Sequence, residues 1–135
     1  PLRPGGIPIW VGGEGRPARR RAGRYGDAWF PYPVLITAEE LREQQQEVRR
    51  FAEEAGRDPD AVQLTLCRPI EVTEEPVEQD PRRLRGTPAQ LVDALRAFAE
   101  LGVHHLALQF TVPRWPERRQ QIQRFGEEAL PALRR

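Results

Sequence analysis

The chain of 135 residues contains no Lys, Met, Asn or Ser, has one Cys, and is only 7% aromatic. Each absence removes a class of chemistry. Without Ser there is no serine nucleophile. The lone thiol, Cys67, sits in a strand-like run, where a reduced buried side chain is expected rather than a nucleophile or half of a disulfide. No apolar run approaches the length of a membrane span or a signal-peptide core, so the sequence predicts a cytoplasmic protein with no membrane partner. No His/Cys/Asp group has metal-ligand spacing. The 21 basic residues, all Arg, nearly cancel 20 acidic ones, and a net charge of +1 leaves no overall field to attract nucleic acid. The missing residue types point to GC-rich coding, which is a statement about origin and not about function.

What is present is organised around Pro8-Ile9-Trp10-Val11-Gly12-Gly13-Glu14-Gly15-Arg16-Pro17. Ile9, Trp10 and Val11 read as a buried strand covered on both faces. Gly12, Gly13 and Gly15 permit positive φ and close approach of backbone to a ligand, and Pro17 suits the first helical position. Unpaired N–H groups at the start of that helix, with the positive end of its dipole, would form an anion site. The bland alternative is a tight turn with no ligand. The spacing matches neither a Walker loop nor a full Gly-x-Gly-x-x-Gly fingerprint.

In chain order, residues 1–8 read as an irregular lead-in and 17–25 as a short helix closed by Gly26 at C′. Its arginines, Arg19, Arg20, Arg21 and Arg24, read as a solvated face, since no interleaved aromatic platform accompanies them. Asp27 to Phe30 is a second strand, stopped by Pro31 and Pro33. Thr37 and Glu40 form a capping box for a helix ending near Ala55, with Leu41, Val48, Phe51, Ala52 and Ala55 as its apolar stripe. Val62 to Cys67 is a third strand. Residues 70–86 are acidic, proline-bearing and aperiodic, long enough for either a functional or a mobile loop, and Glu71 to Arg85 is expected to be the most mobile internal stretch. Thr87 and Gln90 cap a helix buried through Leu91, Leu95, Phe98 and Leu101. Val103 to Phe110 is a fourth strand, and a last helix over about 116–130 presents Ile122, Phe125 and Leu130.

Four successive βα units imply an α/β fold with a parallel sheet. Two architectures satisfy that order: a small open flavodoxin-like sheet, or half of a (βα)8 TIM barrel, whose whole domain needs about 250 residues. Other chemical candidates are weaker. His104 and His105 begin a strand, whereas barrel chemistry collects at strand C-termini, so a structural role is expected. Arg68 ends its strand and faces either an anionic ligand or, preferably, a salt bridge to the acidic loop. Trp29 and Phe30 either line a pocket at the strand ends or pack in the core.

Pro8 to Gly13, Ala18 with Ala22 to Trp29, Glu53 to Pro59, Gly86 to Val92 and Ala99 to Leu106 together resemble the central and C-terminal segments of the luciferase-like monooxygenases, flavin- or deazaflavin-dependent barrel enzymes. The resemblance runs through nearly the whole chain in order. It implies that residues 1–135 form a single partial domain, βα units five to eight, as a fragment or truncated product lacking the first four. It further implies a site for the phosphate of FMN, or the corresponding part of the deazaflavin coenzyme F-420, on Gly12, Gly13, Glu14, Gly15 and Arg16. Glu14 departs from that role, because a carboxylate repels phosphate unless it points away or Arg16 offsets it. The family's ring- and substrate-facing groups lie largely on the first four strands, so no catalytic residue is named. The implied function is the cofactor-phosphate part of an oxidoreductase or monooxygenase; the alternative is a non-catalytic phosphate-binding or oligomeric assembly module. Open strand edges and an uncovered inner face carrying Trp10, Leu106 and Leu108 predict a homo-oligomer.

Overall fold

The computed structural model describes residues 6–134, so most of the lead-in expected over 1–8 lies outside the described residues. The fold is α/β, with alternating strands and helices around a parallel sheet in the order β1-β2-β3-β4, and β5 also pairing with β3. The strands are β1 (Trp10–Gly12), β2 (Ala28–Phe30), β3 (Gln63–Val72), β4 (Leu84–Gly86) and β5 (Val103–Phe110); the helices are α1 (Arg16–Tyr25), α2 (Ala38–Glu54), α3 (Pro88–Glu100), α4 (Trp115–Arg124) and α5 (Leu130–Leu133). Two compact units share the residues of β3 and β5 between them.

The first unit holds the described residues up to Pro33, with Glu39–Cys67 and Val103–Leu106. Here β1 pairs with β2, Trp10 opposite Ala28 and Gly12 opposite Phe30, and β2 pairs with the start of β3, Trp29 opposite Leu64. Leu64, Thr65 and Leu66 are consecutive and all buried, as befits a strand covered on both faces. The same expectation fails for β1: Ile9 is 58% and Trp10 43% exposed. As the last strand in the sheet order, β1 has one pairing neighbour, so its apolar residues are not enclosed. Helix α2 buries Leu41, Val48, Phe51 and Ala52 as its periodicity predicts, while Ala55 falls beyond its end and is exposed. That end is closed by Gly56 at φ 69°, with the Arg57 amide donating to the Ala52 carbonyl at 2.9 Å.

The second unit comprises Val34–Ala38, Arg68–Gly102 and residues from Ala107 onward. Its main departure from expectation is the acidic stretch. Strand β3 runs five residues past Cys67, and β4 adds a fifth strand, with Ile70, Glu71 and Val72 opposite Leu84, Arg85 and Gly86. Ile70, Val72 and Leu84 are buried, so alternation does exist here, too short and too interrupted by charge to stand out. The loop that remains is held by side chains from elsewhere in the unit: Gln90 donates to the Val77 carbonyl at 2.8 Å and accepts from the Val77 amide at 3.2 Å. The Thr87–Gln90 capping box is formed in full, and Pro88, Leu91, Val92, Leu95 and Phe98 are buried. The last helix is broken into three pieces by a π turn at Phe125–Ala129. Phe125 and Ala129 are buried there, while Ile122, expected inside, is 44% exposed because α4 buries none of its residues.

Candidate functional site: the glycine turn and the start of helix α1

The turn between β1 and α1 is built by steric necessity at one glycine. Gly13 has φ 105°, and a Cβ there would sit 2.9 Å from the Cβ of Ala18. Any other residue is strained both by its backbone and by the helix beneath it. Gly12 and Gly15 do not share the positive φ that the sequence allows them. Gly15 is the N-cap residue of α1 with φ −71°, and no side chain caps the helix. Its carbonyl accepts from the Ala18 and Arg19 amides at 2.9 and 3.1 Å. Among the described residues no protein acceptor meets the amides of Glu14, Gly15 or Arg16. These are the orphan donors of a helix start, beside the positive end of its dipole, and all three residues are exposed.

Side chains around the turn fix its shape. The buried indole of Trp29 donates its Nε1–H to the Gly13 carbonyl at 2.8 Å, which satisfies that acceptor within the protein. Trp29 was a candidate pocket wall; it is instead a tether, and the signal available in sequence was that a buried indole N–H needs an acceptor. Arg19 bonds the Glu14 carbonyl. Asp27 accepts from the Ile9 amide at 2.7 Å, tying the entry of β1 to that of β2. At the other end of α1, Arg57 donates to the carbonyls of Gly23 and Gly26 at 2.5 and 2.8 Å, satisfying a helix C-terminus with a cation. Gly26 is extended, φ −86°, and not left-handed as expected; it is required because a Cβ would come within 3.0 Å of Val11 Cγ2 and of the Ala22 carbonyl.

The structure places the five sequence-predicted cofactor residues, Gly12, Gly13, Glu14, Gly15 and Arg16, in one continuous exposed turn. The guanidinium of Arg16 does not offset Glu14. It lies 3.1 Å from Glu47 on α2 and 5.3 Å from the centre of the Phe51 ring. Arg19 shares that carboxylate. Burial pushes the Glu47 carboxyl up, but the hydrogen bonds and charges of Arg19 and Arg16 outweigh it and leave the pKa below its ordinary value.

The other candidates stand apart from the turn. His105 lies edge-on to Trp10 with ring centres 5.1 Å apart, and Phe30 packs on Trp10 at 5.4 Å. Trp10 and His105 stand near the N-terminal ends of their strands, the opposite end from the glycine turn. Strands β1 and β5 are separated by β2 and β3 in the sheet order. In a flat sheet three spacings of about 4.8 Å would hold them roughly 14 Å apart. Ring contact across that gap requires the sheet to curl, as a barrel wall does. Arg68 corrects the salt-bridge reading given to it: its partners are backbone carbonyls and not a carboxylate. Fully buried, it donates to the carbonyls of Ile36 and Arg82 at 3.0 and 2.7 Å and stands over the Phe98 ring. Its burial lowers the guanidinium pKa. Cys67 is half-buried, and desolvation raises its thiol pKa. Among the described residues no group of three His, Cys, Asp or Glu side chains is placed to hold a metal ion, and no helix is long and apolar enough to cross a membrane.

Comparison with known proteins gives this geometry a lineage. A stretch of 62 residues, 46% of this chain and 16% of the relative, is 37% identical to the phthiodiolone/phenolphthiodiolone dimycocerosates ketoreductase of Mycobacterium tuberculosis. Among solved structures, the coenzyme F-420 dependent tetrahydromethanopterin reductase of Methanopyrus kandleri superposes with a TM-score of 0.74 at 14% identity, over 94% of this chain and 51% of that one. A riboflavin lyase with modified FMN and riboflavin bound matches with a TM-score of 0.70 at 15% identity, over 93% of this chain and 42% of that one. The chain thus spans about half the length, or less, of the proteins it matches, and the structural likenesses are of fold, that of a TIM barrel. The family model described as luciferase-like monooxygenase matches residues 1–85, more than half of the sequence and including the whole glycine turn. The chain belongs to the luciferase-like monooxygenase family.

Proposed function

We propose that this chain contributes βα units five to eight of a luciferase-like flavin- or deazaflavin-dependent oxidoreductase, and that its part in the chemistry is to hold the phosphate of FMN or of coenzyme F-420. The observation that carries the reading is the set of unpaired amides at Glu14, Gly15 and Arg16, following a positive-φ Gly13 at the end of a parallel strand. That is where open α/β sheets and barrels gather ligands. The residues fit the group: the turn is exposed, its Gly13 carbonyl is taken by Trp29 and its Glu14 carbonyl by Arg19, and Glu14 itself is exposed. When bound, the flavin-type cofactor supplies hydride transfer or oxygen activation. The chain's own residues supply binding and orientation: amides and the α1 dipole neutralise the phosphate, and Trp29 fixes the turn that presents them. No residue of this chain is assigned a catalytic role.

Titrating inorganic phosphate and FMN while following backbone amide resonances tests the site. Both are expected to shift Glu14, Gly15 and Arg16, and Gly13→Val is expected to abolish those shifts. Shifts confined to other parts of the chain would refute the assignment. Exposed Ile9 and Trp10 on the end strand β1 favour assembly as well, and we propose a homo-oligomer joined along that edge; a monomer in sedimentation equilibrium at micromolar concentration would contradict it.

A further inference from the structure

Helix α1 carries Arg16, Arg19, Arg20, Arg21 and Arg24 and no acidic residue, in a chain whose net charge is only +1. On the other helices an arginine answers an acid one turn away: Arg42 with Glu39, Arg96 with Asp93, Arg124 with Glu128. On α1 only Arg16 and Arg19 are neutralised, both by Glu47. Among the described residues Arg20, Arg21 and Arg24 have no ion-pair partner. Steps of four place Arg16, Arg20 and Arg24 in one row, and Pro17, Arg21 and Tyr25 in the next. Like charges repeated one turn apart repel and weaken a helix. Between the two rows lies an open cavity of about 440 Å³, lined by those six residues alone. Tyr25 is 67% exposed, and the Arg24 guanidinium stands 5.7 Å from its ring centre.

We propose that this groove is a second anion site, separate from the glycine turn, for a compact diphosphate-bearing ligand of the nucleoside diphosphate class. Guanidinium forks match phosphate oxygens in pairs, and three of the four here have no competing carboxylate. The cavity has the size of a small-molecule site. Its single flat aromatic ring offers stacking to one base. A nucleic-acid strand would call for a succession of such rings, and α1 is only about 15 Å long. The phosphates lie among Arg20, Arg21 and Arg24, the three guanidiniums with no carboxylate partner, and the base against Tyr25.

The test is calorimetry on the full chain with three probes, ADP, pyrophosphate and adenosine, together with resonances of the arginine Nε–H groups and the Tyr25 ring. ADP is expected to bind, pyrophosphate more weakly, and adenosine weakest. Arg20→Gln and Arg24→Gln are each expected to weaken ADP roughly tenfold or more, while Arg96→Gln, remote from α1, leaves it unchanged. Tyr25→Leu should remove the advantage of ADP over pyrophosphate. All these side chains are exposed, so far-UV circular dichroism should stay constant across the set. Absence of ADP heat at millimolar concentration overturns the proposal, as does unchanged binding by a variant carrying both Arg20→Gln and Arg24→Gln. Shifts that fall on the Glu14 and Gly15 amides in place of the groove assign the ligand to the glycine turn and also overturn it. An oligothymidylate that binds more tightly than ADP replaces the small-ligand site with a nucleic-acid surface.

Discussion

Gly23→Ala is the most demanding test of how the glycine turn is held, because two opposite effects meet at one methyl group. In a helix interior, replacing Gly by Ala ordinarily stabilises by roughly 0.5–1 kcal/mol. At Gly23 the new Cβ would stand 2.6 Å from the Val48 carbonyl oxygen, 2.7 Å from Phe51 Cβ and 2.9 Å from the Ala52 amide nitrogen. Those atoms belong to the backbone of α2 and the root of a side chain, so none can rotate away, and the two helices must separate. Overpacking of this kind costs roughly 1–3 kcal/mol. Separation also pulls the Gly23 and Gly26 carbonyls from Arg57, adding about 0.5–1.5 kcal/mol for each bond that is lost. The net expectation is a loss of about 1–5 kcal/mol, read as a lower urea midpoint with an unchanged slope. Gly126→Ala is the internal reference, since a Cβ there meets nothing within 4 Å; it is expected to raise the midpoint. Because α1 carries at its other end the amides proposed to hold phosphate, Gly23→Ala should also weaken phosphate binding. If Gly23→Ala stabilises as much as Gly126→Ala, the α1–α2 contact does not fix this helix and the reasoning fails.

Arg68→Met should destabilise by about 1–3 kcal/mol, because the buried Ile36 carbonyl loses its donor and the Arg82 carbonyl keeps only the long bond from the Ile36 amide at 3.4 Å, and proteolysis should then begin between Thr73 and Arg83. Glu47 has a folded pKa below its ordinary 4.5, so its contribution is present above that value and is lost as pH falls through the lower, folded one. The stability gap between wild type and Glu47→Gln should therefore be constant from pH 7 to about pH 5 and close in more acidic solution; a gap that widens on acidification would contradict the assignment. The raised thiol pKa of Cys67 predicts slower labelling by a disulfide reagent at pH 8 than for a free cysteine peptide, and labelling as fast as the peptide would contradict it.

The strand–glycine turn–helix passage was legible because its logic is local: the run of β-branched and aromatic residues, the glycines and Pro17 all lie within ten positions. The same holds for Thr87 and Gln90, whose reciprocal cap forms as spaced, and for the apolar stripe of α2. Strand β4 was illegible for the opposite reason. Leu84, Arg85 and Gly86 have almost no strand signal of their own, and they are a strand only because Ile70 to Val72 present a ladder to them.

The sequence by itself determined the βα alternation, the place of the glycine turn and the family, since each rests on spacing along the chain. Only the tertiary structure decided which strand would be exposed. Ile9 to Val11 reads as buried on composition, yet burial depends on neighbours in space, and β1 has one neighbour in the sheet. It alone decided that Arg16 answers Glu47 and leaves Glu14 alone, that Trp29 grips the turn, and that Arg68 sits among carbonyls with no carboxylate. Long charged and aromatic side chains reach residues 14 to 32 positions away, and which partner they meet is fixed by helix packing and strand order, to which periodicity in the sequence is blind.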